Sequence, residues 1–111
     1  MYRLVVRAQA KLGLEKEIEY SRRNWGDKQA RKYKQGLTKA LKELKQNAKI
    51  YQIKTGFKLE IRIRRYKGSQ IIYYLNGDQN LVKVLDIMEK TRKLTPLILY
   101  KRYIHSSKSE V

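Results

Sequence analysis

The chain has 111 residues, and its 27 lysines and arginines stand against 10 aspartates and glutamates, a formal net charge of +17 at pH 7. This length fits a single domain with one modest hydrophobic core, which leaves little room for the deep enclosed pocket of a small-molecule enzyme. No cysteine is present, which excludes disulfide frameworks, thiolate metal sites and cysteine nucleophiles. We expect one domain over residues 1–105, a frayed tail over residues 106–111, and no small-molecule substrate.

The positive charge is spread along the whole chain and indicates a polyanionic partner. Nucleic acid is the first candidate, and an acidic protein and an anionic membrane surface are the others. The opening run from Met1 to Val6 lacks the length and the cleavage site of a signal peptide. No stretch approaches the roughly 18 apolar residues that span a bilayer. We therefore expect a cytoplasmic protein with no membrane partner.

The first elements in chain order are a strand over Tyr2–Ala8 and a helix whose periodicity begins at Leu12. Its apolar face consists of Leu14, Ile18 and Trp25. Gly26 is expected to end this helix, and Asp27 to cap the next one.

The second helix is predicted over Lys28–Gln46 from a stripe of apolar residues at spacings of three and four. The stripe consists of Ala30, Tyr33, Leu37, Ala40, Leu41 and Leu44. The remaining surface is almost entirely basic and carries Lys28, Arg31, Lys32, Lys34, Lys39, Lys42 and Lys45. Two amphipathic helices joined by a short turn predict a helical hairpin.

After a connection over residues 47–56, the pattern predicts three strands, Lys58–Arg65, Gln70–Leu75 and Leu81–Met88. The turns at Lys67-Gly68-Ser69 and Asn76-Gly77 join them into an antiparallel meander, which the N-terminal strand also joins. Thr95-Pro96 then opens a short helix over Leu97–Ile104. The order β-α-α-β-β-β with a C-terminal helix predicts an α+β fold, a helical hairpin packed on a twisted antiparallel sheet.

The common catalytic sets are missing from the sequence. The single histidine, His105, is read as solvated, and no pair of carboxylates is spaced for acid–base chemistry. The glycines are scattered and form no phosphate-binding loop. Neither a metal nor a cofactor is expected.

Basic residues carry the remaining chemical signal. Arg62 and Arg64 share one strand face with Lys58, because side chains alternate along a strand. The opposite face, with Ile61 and Ile63, is expected to pack on the helices. The arginine face then suits phosphate, since the planar guanidinium matches phosphate oxygens. The alternative is that these residues are merely solvated.

A second basic cluster, Lys90, Arg92 and Lys93, follows the last strand, and Lys101 and Arg102 lie on the final helix. We expect the cluster to converge on the groove whose floor is Arg62 and Arg64. The alternative is a charged loop that keeps the end of the sheet soluble.

Tyrosine is abundant, with 9 copies against 1 Phe and 1 Trp. Interleaved aromatic and basic residues suit stacking on unpaired bases, and Tyr66 and Tyr100 are the tyrosines expected to be exposed. One of Tyr73 and Tyr74 must point into the core.

These features resemble a known toxin superfamily. In the helical hairpin, the motifs that look like ParE-type toxins are Trp25-Gly26, Gln29-Ala30 and Tyr33. The second half is similar to the HigB-like branch of the RelE/ParE superfamily through Glu60-Ile61-Arg62-Ile63, Tyr66-Lys67-Gly68, Ile71-Ile72-Tyr73-Tyr74, Lys90-Thr91-Arg92-Lys93 and Thr95-Pro96. The resemblance spans residues 14–104.

The resemblance implies the toxin of a type II toxin–antitoxin system. RelE-like and HigB-like members cut mRNA in the ribosomal A site with basic residues, which stabilise the charge that develops when a 2′-hydroxyl attacks the adjacent phosphate. By position, Arg62, Lys90 and Arg92 match basic residues of the family. The predicted partners are mRNA, the ribosome and a cognate acidic antitoxin that covers the basic groove.

One departure concerns Gln70, where many members carry an arginine; Arg64 or Arg65 is the candidate replacement. The catalytic candidates are therefore Arg62, Arg64, Lys90 and Arg92. The candidates for RNA contact are Lys58, Arg65, Tyr66, Lys67, Lys93, Tyr100, Lys101 and Arg102.

Two alternatives stay open. The Trp25-Gly26 hairpin favours a ParE-type toxin that binds DNA gyrase and is not an enzyme. Gln70 favours a non-catalytic RNA-binding member of the fold.

Overall fold

The computed structural model describes residues 1–56 and 59–92. Over these residues the elements in chain order are β1 (Arg3–Val6), α1 (Ala8–Trp25), α2 (Asp27–Asn47), a 3-10 turn (Ala48–Ile50), β2 (Gln52–Lys54), β3 (Ile61–Tyr66), β4 (Ser69–Asn76) and β5 (Leu81–Glu89). The predicted α+β fold class is confirmed. The predicted helix over Leu97–Ile104, His105 and the tail over residues 106–111 lie outside the described residues.

The strands form one five-stranded sheet in the order β1-β5-β4-β3-β2. Strands β2 to β5 pair antiparallel, as the predicted meander requires, whereas β1 pairs parallel to β5. The sheet is therefore mixed. Strand β2 falls in the segment that the sequence predicted as a connection, because three residues are too short to show a period of two.

The helix boundaries differ from the prediction where capping signals are lacking. Helix α1 begins at Ala8, earlier than expected, and its N-cap residue Arg7 makes no side-chain capping bond. Gly26 separates the helices with a φ of 90°, a value that glycine adopts without strain. Asp27, predicted as the cap, is instead the first residue of α2.

The main hydrophobic core lies between the helices and one face of the sheet. Its buried residues from α2 are Leu37, Ala40, Leu41 and Leu44, and those from the sheet are Ile71, Tyr73, Leu75, Val82, Val84 and Ile87. The apolar stripe predicted on α2 is thereby confirmed as the packing face. Of the two adjacent tyrosines, Tyr73 is the one that points into this core.

The opposite face of the sheet is also apolar. Its buried cluster consists of Ile61, Ile63, Ile72, Leu85 and Met88, with Leu59 and Tyr74 packed against it. The prediction that Ile61 and Ile63 pack on the helices is therefore wrong. Ile63 pairs with Ile72 across the sheet, whereas Arg62 pairs with Tyr73 of the helix-side core. Side-chain alternation then fixes the orientation of the whole strand.

Neither helix in the part of the chain that the structure describes combines the length and apolar character needed to cross a membrane.

Helix α1 approaches β5 so closely that only glycine fits at the contact. A Cβ atom on Gly13 would lie 2.0 Å from the backbone oxygen of Ile87. Backbone cannot rotate away as a side chain can, so a larger residue must push the helix off the sheet.

We expect Gly13→Ala to lower the free energy of unfolding. Overpacking of a core costs about 1–3 kcal/mol, against about 1 kcal/mol that alanine gains over glycine in a helix. Urea denaturation measures the difference. Gly77→Ala is the control, since a Cβ atom there meets nothing within 4 Å. Equal midpoints for Gly13→Ala and wild type would contradict the close approach.

Burial raises the pKa of Tyr73, whose hydroxyl donates to the carbonyl oxygen of Ala48. The folded chain therefore holds this proton more tightly than the unfolded chain, and the stability that it confers is lost as pH rises above about 10. We expect the urea midpoint to fall more steeply above that pH in wild type than in Tyr73→Phe. Parallel pH profiles would contradict this assignment.

Candidate binding cleft at the end of the sheet

Arg62 lies beneath the connection that follows α2, with 11% of its side chain exposed. Its Nη1 atom donates to the carbonyl oxygens of Lys49 and Tyr51, each at 2.8 Å, and its Nε atom donates to the Glu60 carboxylate at 2.8 Å. Helix ends leave backbone carbonyls without partners. Arg62 satisfies two carbonyls just beyond α2 and so joins that segment to the sheet.

Arg64, two residues further along β3, is held in the same way. Its Nη1 atom donates to the Ala40 carbonyl oxygen at 2.8 Å, and its Nη2 atom lies 3.2 Å from the Glu43 carboxylate. The guanidinium carbon lies 4.8 Å from the centroid of the Tyr51 ring, a cation–π distance. Arg64 therefore bridges β3 and α2.

The prediction that Arg62 and Arg64 face away from the helices and form the floor of an open groove is wrong. Both guanidiniums point towards α2 and its exit. An arginine can bury its aliphatic stem in a packed layer while its head finds carbonyls and carboxylates. Any catalytic role for these residues stays a prediction, and Lys58, predicted beside them, lies outside the described residues.

The turn between β3 and β4 meets the end of β5. The backbone N–H of Lys90 donates to the Gly68 carbonyl oxygen at 2.9 Å, which brings Lys90 beside Lys67. The Lys67 ammonium lies 5.7 Å from the centroid of the Tyr66 ring. Lys67 and Lys90 are the predicted site residues that the structure brings together.

Arg65 and Arg92 lie elsewhere. The Arg65 side chain is on the face of the sheet opposite the helices and donates to the Gln52 amide oxygen at 2.7 Å. Arg92 lines a separate groove beside α1, together with Glu15 and Glu19. The predicted convergence with Arg62 and Arg64 therefore does not occur for Lys90 and Arg92, while Lys93, Tyr100, Lys101 and Arg102 lie outside the described residues.

Gln70 has a structural role that the sequence did not indicate. Its side chain is 2% exposed, and its Nε2 atom donates to the carbonyl oxygens of Glu89 at 3.1 Å and Arg92 at 3.0 Å. A buried amide with two carbonyl partners fixes the segment after β5. Gln70 thus positions the backbone that carries Lys90.

Tyr66, predicted to be exposed, is half-buried. Its ring packs edge-on against Tyr33, with centroids 5.6 Å apart. A Cβ atom on Gly36 would lie 1.7 Å from the Tyr66 hydroxyl oxygen, so the glycine leaves the room that this tyrosine occupies. Tyr66 supports the site from behind and does not offer a free stacking face.

A cleft of about 640 Å³ opens between the helical hairpin and this end of the sheet. Its walls come from the last turns of α1, the first turns of α2, the β3–β4 turn and the end of β5. The side chains that decide its character are Tyr20, Trp25, Gln29, Tyr33, Lys67 and Lys90. We call it the hairpin cleft.

The wall of the hairpin cleft beside Tyr33 is a closed hydrogen-bond network. The buried Ser69 hydroxyl donates to Glu17 Oε1 at 2.6 Å and shares a second hydrogen bond with the Tyr33 hydroxyl. Burial raises the pKa of Tyr33. A phenol that is harder to ionise and already engaged is poorly suited to act as a base near neutral pH.

Within residues 1–56 and 59–92, no group of three or more His, Cys, Asp or Glu side chains is placed to hold a metal ion.

Two large aromatic side chains are exposed at the mouth of the hairpin cleft. Trp25 is 71% exposed and Tyr20 is 65% exposed, although Trp25 was predicted to pack on the core. Gly26 ends α1 directly after Trp25, so the indole stands at the tip of the hairpin. Exposed aromatics beside polar residues are typical of surfaces that bind other proteins.

We expect Arg62→Ala to destabilise the fold. It leaves two backbone carbonyls without their charged donor, a loss of about 2–4 kcal/mol in the free energy of unfolding. Arg65→Ala removes one exposed hydrogen bond, and its urea midpoint should stay within error of wild type. If both variants unfold at the wild-type midpoint, Arg62 is free for another role.

Comparison with known proteins agrees with this architecture. A family model described as the ParE toxin of the type II toxin–antitoxin system parDE matches residues 4–94. A search of curated proteins finds no match.

Solved structures with the same fold include a chain of the chromosomal ParDE toxin–antitoxin system from P. aeruginosa, with a TM-score of 0.64 and 18% identity over 80% of this chain and 96% of that one. The isolated E. coli RelE toxin has a TM-score of 0.55 and 18% identity, over 100% of both chains.

The predicted RelE/ParE superfamily is therefore confirmed, while the HigB-like branch stays a prediction. Since the family model matches most of its length, the chain belongs to the ParE toxins of type II toxin–antitoxin systems.

Proposed function

We propose that this type II toxin acts by binding a protein target through the hairpin cleft, as a non-enzymatic inhibitor of DNA gyrase. The observation that carries the proposal is the pair of exposed aromatics, Trp25 and Tyr20, at the mouth of that cleft. Tryptophan and tyrosine are the side chains that most often supply the binding energy of protein interfaces.

The distribution of the predicted catalytic residues supports binding over RNA cleavage. Arg62 and Arg64 donate to backbone carbonyls and carboxylates inside the fold. The other face of β3 presents isoleucines to an apolar cluster. Lys90 and Arg92 line different grooves. Stabilising a developing phosphorane requires several donors aimed at one point, which these residues do not provide.

A cognate antitoxin is the partner of a type II toxin, and with a net charge of +17 we expect this one to be acidic. Its binding should weaken as salt screens the exposed charges.

Ribosome-dependent mRNA cleavage is the second candidate. It is favoured by Lys67 and Lys90, whose exposed side chains lie on adjacent, hydrogen-bonded segments of the hairpin cleft. Two lysines on neighbouring walls of the cleft could hold a phosphate, although the hydroxyl of Tyr33 in the same cleft is engaged in a hydrogen bond.

Trp25→Ala tests the gyrase proposal with purified proteins. We expect the wild-type toxin to inhibit DNA supercoiling, and the variant to need about tenfold more protein or greater for the same inhibition, because interface aromatics contribute about 2 kcal/mol or more. Ile50→Ala is the matched control, since Ile50 is 72% exposed in the 3-10 turn that follows α2, at the end of the helix away from Trp25. It should inhibit as wild type does.

Two results would contradict the proposal. One is a wild-type toxin that does not inhibit supercoiling. The other is an equal loss of inhibition in Trp25→Ala and Ile50→Ala. Cleavage of mRNA in a translation reaction that Lys90→Ala abolishes would establish the second candidate instead.

A further inference from the structure

Helix α2 presents a straight basic face to solvent. All seven basic residues that the sequence placed opposite its apolar stripe are exposed, from Lys28 at one end to Lys45 at the other. Within residues 1–56 and 59–92, no carboxylate forms an ion pair with any of them. This surface, the α2 basic face, lies apart from the hairpin cleft.

The acid within this face is neutralised from beneath. Glu43 is half-exposed among the lysines, and its carboxylate accepts from Arg64 of the sheet. The largely buried Arg64 thereby offsets the negative charge of Glu43 in the middle of the face. The same contact therefore joins β3 to α2 and offsets the negative charge of Glu43 among the lysines.

The dimensions of the α2 basic face match a nucleic-acid backbone. From Lys28 to Lys45 a helix rises roughly 25 Å, at about 1.5 Å per residue. A DNA strand carries one phosphate per about 3.4 Å of helix axis. The face is therefore long enough to reach several consecutive phosphates of one strand.

The composition of the α2 basic face favours phosphate over a protein or a base. An open groove along it is lined by Arg31, Lys34, Lys39 and Lys42, with Gln35 and Thr38 between them. Amides and hydroxyls also donate to phosphate oxygens. The exposed positions of α2 carry no aromatic or large aliphatic side chain. Protein interfaces are depleted in lysine and need apolar anchors, and base stacking needs aromatic rings.

We propose that the α2 basic face binds the phosphodiester backbone of nucleic acid, without regard to base sequence. Lysine and arginine would displace the counterions condensed on the backbone, so affinity is highest at low salt. Binding of this kind would hold the toxin near targets that are themselves bound to DNA or RNA. The inference stands independently of the target of the hairpin cleft.

The test compares two triple variants of the full-length chain that carry the same change in net charge. One is Lys34→Gln, Lys39→Gln, Lys42→Gln on the α2 basic face. The other is Lys11→Gln, Lys16→Gln, Lys49→Gln at exposed positions outside it. Glutamine keeps the helix propensity close to that of lysine. Fluorescence anisotropy measures binding to labelled duplex DNA, single-stranded RNA of the same length, and polyglutamate.

We expect the α2 triple variant to bind nucleic acid at least about tenfold more weakly than the other triple. Its slope of log K against log salt should be shallower by about 2 to 3, since each lost phosphate contact removes about 0.9. The nucleic acid, DNA or RNA, whose affinity for the toxin falls more in the α2 triple variant is then identified as the physiological ligand.

Three results would overturn the proposal. Equal losses in the two triple variants would show that only the total charge matters. No binding of the wild-type chain to either nucleic acid at low salt would remove the premise. Tighter binding of polyglutamate than of nucleic acid, with loss confined to the α2 triple, would assign the face to an acidic protein.

Discussion

The architecture depends on the hydrogen-bond donors that satisfy the backbone carbonyls just after the C-terminal end of α2. Past the last turn of this helix, the backbone oxygens of Ala48, Lys49 and Tyr51 lie over the sheet, and Tyr73 and Arg62 donate to all three. Unsatisfied carbonyls in that position would cost about 1–3 kcal/mol each. The contact fixes the helix on the sheet, the register of β3 and the direction of every side chain along that strand.

The division of positive charge follows from that contact. Once Arg62 and Arg64 point towards the helices, Ile61 and Ile63 must point the other way, because side chains alternate. Neither face of the sheet is then a basic floor. The exposed positive charge that the two proposals use stands instead on the outer face of α2 and at Lys67 and Lys90. The chain thus has two separate surfaces, a cleft with exposed aromatic side chains and a lysine-rich helix face, to which the two proposals assign a protein and a nucleic acid.

Local patterns in the sequence were sufficient for much of this fold. The three-and-four spacing of Leu37, Leu41 and Leu44 placed α2 to within a residue at each end, and Asn76-Gly77 placed the hairpin between β4 and β5. Strand β2 was not predicted because its three residues are too few to show a period. The parallel pairing of β1 with β5 was not predicted because it joins residues far apart in the sequence, and a local pattern carries no information on such pairs.

The site was harder to predict for a physical reason. A strand that alternates arginine with isoleucine looks amphipathic, and the rule that apolar residues face the core then orients it. Here both faces are covered, so alternation does not say which face meets the helices. Likewise, Trp25 fits the helical spacing of the core face, and only the position of Gly26 directly after it hints that the indole stands at the tip.

The most direct test of the account is to map mRNA 5′ ends in bacterial cells while the toxin arrests growth. Toxicity through binding predicts arrest with intact mRNA, accompanied by filamentation and DNA damage, as expected when gyrase is inhibited. New 5′ ends at codon-phased positions within translated regions would contradict it, because they would require this chain to assemble a nuclease site from residues that the fold holds apart.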